Sequence, residues 1–391
     1  MILSAALWIT AVPATLSCLY LLTLTTLSAG LRPLPPSARK LRFDVIVPAH
    51  DEEAVITQVI GSLQKVDWPQ DRYRITVVAD NCTDNTAAVA TAAGAHVMQR
   101  IDKEQRGKGY ALSFAFIASR ARGWADAVVV IDADAEVSTN LLEAFAQRIE
   151  RGEHAVQAHY GVSNTDASWR TRLLSIAKAS FHIVRSRARE RLGFSCGIRG
   201  NGWAVTHELL DKVPYKAFSL TEDLEYGIDL GMAGYRVAYA DEAHSDAEMV
   251  TGEKDARKQR QRWEQGRFNL IRDKTIPLLL RALARRSGVC LDLALDLLVL
   301  PLSYVVLNVA ALAVLAAFAL ATHQSEAWAW IAGGCAVSVV LYILRGWQLS
   351  GAGLQGLLDL GRAPFFLVWK VLVMIGGRES KEWVRTKRER S

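Results

Sequence analysis

From Phe43 to Asp134 the chain reads FDVIVPAHDEE (43–53), RITVVADNCTD (74–84) and AVVVIDAD (127–134), with helical spacing in between. The apolar runs Phe43–Pro48, Arg74–Ala79 and Ala127–Ile131 are short and bounded by polar residues, the pattern of strands buried on both faces. A further short strand is expected at Ala95–Gln99. Helices are expected over Glu52–Lys65, Thr83–Ala93 and Lys108–Arg120. This alternation predicts an α/β domain with a Rossmann-like, mostly parallel sheet, whose ligands gather at the carboxyl ends of the strands. Polar residues stand at those ends: His50-Asp51-Glu52, Asp80-Asn81 and Asp132-Ala133-Asp134.

The flanks are of another character. No side-chain charge occurs between Met1 and Leu31, a stretch longer than the ~20 residues a membrane-spanning helix needs. It lacks the basic start and short apolar core of a cleaved signal peptide and reads as an anchor. Leu293–Ala321, interrupted by Asp296, and Ala327–Leu344 are further candidate spans; Leu354–Gly376 carries Asp359, Arg362 and Pro364 and suits an interfacial or re-entrant position better than a crossing. The expected organisation is an anchor over 1–31, a soluble domain over 32–275, an interfacial amphipathic segment over 276–296, spanning or re-entrant helices over 297–377 and a basic tail over 378–391.

The formal charge of +6 is modest for 391 residues. Much of it lies beside apolar segments, at Arg39, Lys40 and Arg42 and again at Lys381, Arg385, Lys387 and Arg388, where it suits anionic headgroups and a cytosolic face. No aromatic-basic motif of a nucleic-acid surface appears, so no nucleic-acid partner is expected. The five cysteines, Cys18, Cys82, Cys196, Cys290 and Cys335, show no metal-ligand spacing, which fits a reducing compartment without disulfides.

Four constellations carry chemistry. Asp132 and Asp134 end an apolar strand; two carboxylates there repel one another unless a cation lies between them or a pKa rises, and a hard divalent ion bound to both would remove that repulsion. Thr221-Glu222-Asp223 opens an apolar-periodic segment. Its residues make a good helix start, and one carboxylate aimed into a cleft could equally take a proton; Asp223 is the choice for that base, with Glu222 orienting or capping. Gln259, Arg262 and Trp263 fall on one face of a polar helix and offer an amide, a fixed cation and a flat ring. Lys108-Gly109 places a cation and a close-approach backbone before a helix. Weaker candidates are the turn around Asn201 and His244, which suits a third metal ligand or hydrogen-bonded structure.

This order of motifs resembles the family 2 glycosyltransferases, which include cellulose, chitin and hyaluronan synthases. The matching residues are Val47-Pro48-Ala-His-Asp51-Glu52-Glu53, Asp80, Lys108-Gly109, Asp132-Ala-Asp134, Thr221-Glu-Asp223 and Gln259-Arg-Gln-Arg262-Trp263. The resemblance implies a GT-A fold, a nucleotide-sugar donor (usually a UDP-sugar), Mg²⁺ or Mn²⁺, and inversion at the anomeric carbon. By position, Pro48, Asp51, Glu52, Asp80, Lys108, Asp132, Gln259, Arg262 and Trp263 would bind the donor. Asp132, Asp134 and His244 would hold the metal, Asp223 and Arg262 would be catalytic, and Asn201, Glu222 and Trp263 would face the acceptor. His50-Asp51 departs from the more usual Asn-Glu. The few spans resemble the smaller members of the family, and the motifs leave open a growing polysaccharide, a lipid-linked oligosaccharide or a single addition to a lipid. A catalytically silent nucleotide-sugar-binding scaffold in a secretion complex is the rival reading, and secretion subunits and membrane lipids are the further expected partners.

Overall fold

The run Phe43–Ala49 becomes β1 because its alternate side chains are apolar toward both faces: Val45 and Val47 join one core, Ile46 the other. The same two-sided burial holds for β2 (Tyr73–Asp80) and β4 (Ala127–Val130), as a sheet covered on both faces demands. The computed structural model describes residues 1–249 and 253–364, with the side chains of 253–260 and 262 outside the description.

Among the described residues eight strands form one mixed sheet in the order β3-β2-β1-β4-β7-β6-β8-β5. The other five are β3 (His96–Arg100), β5 (Ala135–Val137), β6 (Ala155–Val162), β7 (Trp203–Thr206) and β8 (Ala238–Ala247). The half from β3 to β4 is parallel throughout, as expected from the alternation. Beyond it β7 runs antiparallel to both β4 and β6, and β5 antiparallel to β8. Pro48 sits two residues past the last β1–β4 pair, Ile46 with Val130, so its missing N–H falls where the ladder has already ended.

The chain divides into two units, and the division differs from the expected one. The sheet unit comprises Gly30–Asn164 and Glu190–Ala294. Thr165–Arg189, expected inside the soluble domain, belongs instead with the apolar helices in a second unit with Met1–Ala29 and the residues from Leu295. Among the described residues, three helices of that unit are long and apolar enough to cross a membrane: Ile2–Thr26, Leu302–Ala321 and Ala327–Leu349. Their buried faces, among them Leu7, Ala14, Leu312 and Val339, share one core. Between the helices Trp169–Ala179 and Arg185–Arg191 lies a π-helical turn, Ser180–Val184. Arg185 and Arg189 from this segment both bind Asp296, at 2.7 and 2.8 Å. Asp296, which interrupts an apolar run, is thus neutralised inside the unit rather than exposed to lipid. The expected single span over Leu293–Ala321 is broken at Pro301, which begins a new helix. Of the fourth apolar stretch the described part is a short helix, Gly353–Asp359, and one further turn; the remainder and the basic tail lie outside the described residues.

Candidate functional site

At the ends of β1 and β2 two residues adopt a left-handed backbone, Asp51 at φ 55° and Asn81 at φ 53°, a conformation Asp and Asn tolerate better than most. The turn lets the two strand-end loops lace together. Asp51 Oδ1 accepts from the Thr83 and Asp84 backbone N–H groups at 2.6 and 3.2 Å, and Oδ2 from the Thr83 hydroxyl at 3.0 Å. Burial pushes the Asp51 carboxyl up, but these donors outweigh it and hold the pKa below the ordinary aspartate range. Glu52 donates its N–H to Thr86 Oγ1 at 2.8 Å. His50 Nδ1 lies 2.7 Å from the Asp80 carbonyl; a carbonyl only accepts, so Nδ1 carries the proton. Asp51, Cys82 and Asp84 bring their ligand atoms within 4.8 Å of one another. Yet the Asp51 oxygens already accept hydrogen bonds, and burial raises the Cys82 thiol, keeping it neutral. The cluster is a structural lock.

Asp80, the last residue of β2, is buried, and its Oδ1 is bound by Arg100 at 2.7 Å. Arg100 also donates to the Gln105 carbonyl at 2.8 Å, so it ties the strand end to the loop before Lys108.

The second grouping forms around Lys108, the first residue of the helix Lys108–Arg122. Its ammonium is 2.5 Å from Asp132 Oδ1, 2.6 Å from the Gly200 carbonyl and 3.8 Å from Glu222 Oε1. Gly109 allows this approach: a Cβ there would collide with the Ala217 carbonyl. Burial works against the lysine charge, but the Asp132 and Glu222 carboxylates more than offset it and raise its pKa. Glu222 and Asp223 begin the helix Glu222–Ala233, whose N-terminus favours negative charge. Burial nevertheless dominates. It pushes Glu222 up to about 7 and also raises Asp223, while Lys108 pulls both down. The buried Arg199 lowers Asp223 as well.

Asp223 reaches its place because Gly200 has no side chain; a Cβ there would lie 3.1 Å from Asp223 Oδ2. Beside it, Asn201 is fully buried, and its Oδ1 accepts from the Asp132 N–H at 3.0 Å and from Ser245 Oγ at 3.0 Å. Its Nδ2 has no partner among the described residues, leaving one buried donor beside Asp132. Acidic groups 91 residues apart in sequence, Asp132 and Asp223, thus share one strap and one cation.

Asp134 occupies the turn between β4 and β5 and is partly exposed. The β5–β8 register pairs Ala135, the residue after Asp134, with Ala247 at the end of β8. His244, expected as a third metal ligand, lies three residues before Ala247, about 10 Å from that level at 3.3 Å per residue. It pairs with Asp246 at 2.8 Å, which raises its pKa. The structure does not bring His244 to Asp134.

The long helix Glu253–Arg285 meets the Thr221 motif at Gly266, where a Cβ would run into the Thr221 side chain. Lys274 binds Asp229 at 2.7 Å and fixes the same two helices further along. Gly266 follows Gln259 and Arg262 by seven and four residues, so the backbone puts both on the face that touches Thr221. Their side chains lie outside the described residues. Trp263 on the same helix is exposed, as are Phe218 and Leu220 just before Thr221. Phe218 stacks on Tyr110 with ring centroids 4.4 Å apart.

The family profile described as "Glycosyltransferase like family 2" matches residues 41–266, more than half of the 391-residue chain. Among curated relatives, a beta-monoglucosyldiacylglycerol synthase of Synechocystis is 28% identical over 232 residues, covering 59% of this chain and 48% of that protein. A probable glycosyltransferase of Bacillus subtilis, YdaM, is 25% identical over 58% of this chain and 55% of its own. The chain spans about half the length of the curated relatives it matches. Among solved structures, the mannosyltransferase PcManGT from Pyrobaculum calidifontis, in complex with GDP-Man and Mn²⁺, superposes with a TM-score of 0.56 at 20% identity, over 92% of this chain and 99% of that one. The profile match, with a mixed GT-A sheet and three helices fit to cross a membrane, establishes that this chain belongs to glycosyltransferase family 2.

Proposed function

We propose that this protein transfers one sugar from a nucleoside diphosphate sugar, with UDP as the first nucleotide to test, to a hydroxyl carried by a membrane lipid or lipid-linked saccharide. The observation that carries the reading is the convergence of Asp132, Glu222 and Asp223 on Lys108 and the Gly200 strap. Asp223 serves as base: it takes the acceptor proton as the hydroxyl oxygen attacks the anomeric carbon and the diphosphate departs from the opposite side, inverting that centre. Its raised pKa suits a group that must accept a proton near neutrality. Lys108, and Arg262 on the helix that touches Thr221, supply positive charge as the diphosphate leaves.

The oxygen-only donors at the β4–β5 turn, Asp132 and Asp134, fit a hard divalent cation such as Mg²⁺ or Mn²⁺. Such an ion, when bound, would neutralise diphosphate charge. Two observations support an acceptor borne by lipid. Phe218 and Leu220, just before Thr221, and Trp263, three residues before Gly266 on the helix that meets Thr221, are exposed apolar side chains. The long helix and its successor Gly288–Leu298 also leave Ile276, Leu280, Leu283, Leu291 and Leu295 exposed, in the stretch of chain that leads to the span Leu302–Ala321. Such stripes suit contact with a bilayer surface, and the flanking Arg281, Arg285 and Arg286 favour a cytosolic face by the positive-inside rule.

The test is nucleotide release by the protein in lipid, across a panel of nucleotide sugars with and without divalent cation. Release that requires acceptor lipid and disappears in Asp223→Asn, with nucleotide binding intact, is the expected result. Binding without release from any donor would leave a silent scaffold instead, and a ladder of long products would replace single addition by polymerisation.

A further inference from the structure

We propose that Gln157 is a positioning residue for the transfer step: it holds the Arg199–Gly202 strap in the one conformation that sets Asp132 and Asp223 against each other. The inference rests on the functional reading above and names a residue outside its motifs.

Gln157 lies on β6 with 1% of its surface exposed, opposite Trp203 of β7 and Tyr239 of β8. A buried primary amide in the middle of a sheet has to find all its partners within the protein. Here they are backbone groups, most of them on the strap. Its Nε2 donates to the carbonyls of Asn201, Ala158 and Gly202 at 2.7, 2.9 and 3.1 Å, and its Oε1 accepts from the Arg199 N–H at 2.8 Å. Carbonyls accept and an N–H donates, so the partners themselves decide which way the amide points.

The strap needs such a template. Gly200 and Gly202 hold φ of 89° and 70°, conformations with little intrinsic preference over others for glycine, and Arg199, Asn201 and Gly202 are buried. What the strap presents is the site: the Gly200 carbonyl to Lys108, Asn201 Oδ1 to the Asp132 N–H, and a side-chain-free Cα to Asp223. Ser245 holds Asn201 from β8. Immediately after Gln157 and Ala158 the β6–β8 register shifts; such irregularities recur where a sheet aims side chains at a site.

The experiment compares Gln157→Met, which fills the space without polar atoms, with Gln157→Glu, in the full-length protein in lipid. Gln157→Met should lower kcat roughly 10- to 100-fold while the KM for nucleotide sugar and the Kd for UDP stay close to wild type. In Gln157→Glu the introduced carboxyl, once protonated, can donate to the Asn201 carbonyl. Its kcat relative to wild type should therefore recover as pH falls from 8 to 6, with no such recovery in Gln157→Met. Lys108, Arg199, Asp132 and Asp223 are common to both variants, so the difference reports the introduced group. Wild-type kcat in both variants, or a loss that merely tracks the unfolded fraction, would overturn the proposal. If Gln157→Met does not fold, Ser245→Ala decides: kcat falls with UDP affinity kept, or the proposal fails. A wild-type protein that turns over no donor would sink the functional reading alone; amide exchange then judges Gln157, through whether Arg199–Gly202 and Asp132 lose protection in Ser245→Ala or Gln157→Met.

Discussion

Two groups of acidic residues gather at the carboxyl ends of neighbouring strands, and the fold treats them in opposite ways. Around Asp51 and Asp80 each carboxylate meets donors fixed by the backbone or by Arg100, so its charge is settled before any ligand arrives. Around Lys108, Asp132, Glu222 and Asp223 crowd about one ammonium and one guanidinium, and burial leaves Glu222 and Asp223 with raised pKa values. The first group laces two loops together; the second holds the buried carboxylates from which we propose the base is drawn. Residue type and strand position alone do not distinguish them. The supply of donors does.

The sharpest way to break this contrast is Asp223→Asn. Turnover should fall on the order of 10³-fold with UDP affinity unchanged by titration calorimetry; activity within tenfold of wild type would remove Asp223 as base. Next is Gly266→Val, which forces the long helix off Thr221. A displacement near 1 Å at a catalytic group costs roughly 10²-fold in rate, so kcat should drop by about that factor while the melting temperature moves little. Asp51→Ala tests the laced loops. It should destabilise by about 1–3 kcal/mol in denaturant titration and leave turnover per folded molecule unchanged; a large kcat loss would place Asp51 in the reacting group.

The smallest effect concerns pH. Glu222 is pushed up to about 7 from 4.5, so the folded state binds this proton more tightly than the unfolded chain. The linkage relation then makes stability fall as pH rises from about 4.5 to about 7. Glu222→Gln should accordingly gain roughly 1 kcal/mol over wild type at pH 8 and little at pH 4, read from paired melts. Lys108→Met should move the acid limb of the rate profile upward, because the cation that pulls Asp223 and Glu222 down is gone. A limb that stays in place would show that Lys108 serves only the donor.

The parallel half of the sheet was legible because its strands are uninterrupted apolar runs ending in polar turns; β1, β2 and β4 lie within a residue or two of their expected limits. The other half was not. Strand β5 is three residues long, β7 is four, and β6 carries Gln157 and His159 among its apolar residues. Short antiparallel strands gain their stability from neighbours rather than from their own pattern. His244 stands inside β8, where its pairing sets it level with Ser138 rather than Asp134. Gln157 and Arg199 carry no motif, and nothing short of the strap brings them to view.

Composition and order of residues were sufficient for the α/β class and the apolar flanks, since hydrophobic period and polar strand ends act locally. Which carboxylates would be satisfied and which left in want of a proton was decided only by tertiary contact. A pKa is set by the donors, cations and water within a few ångströms, and here Lys108, Gly200 and Arg199 reach Asp223 from distant parts of the chain.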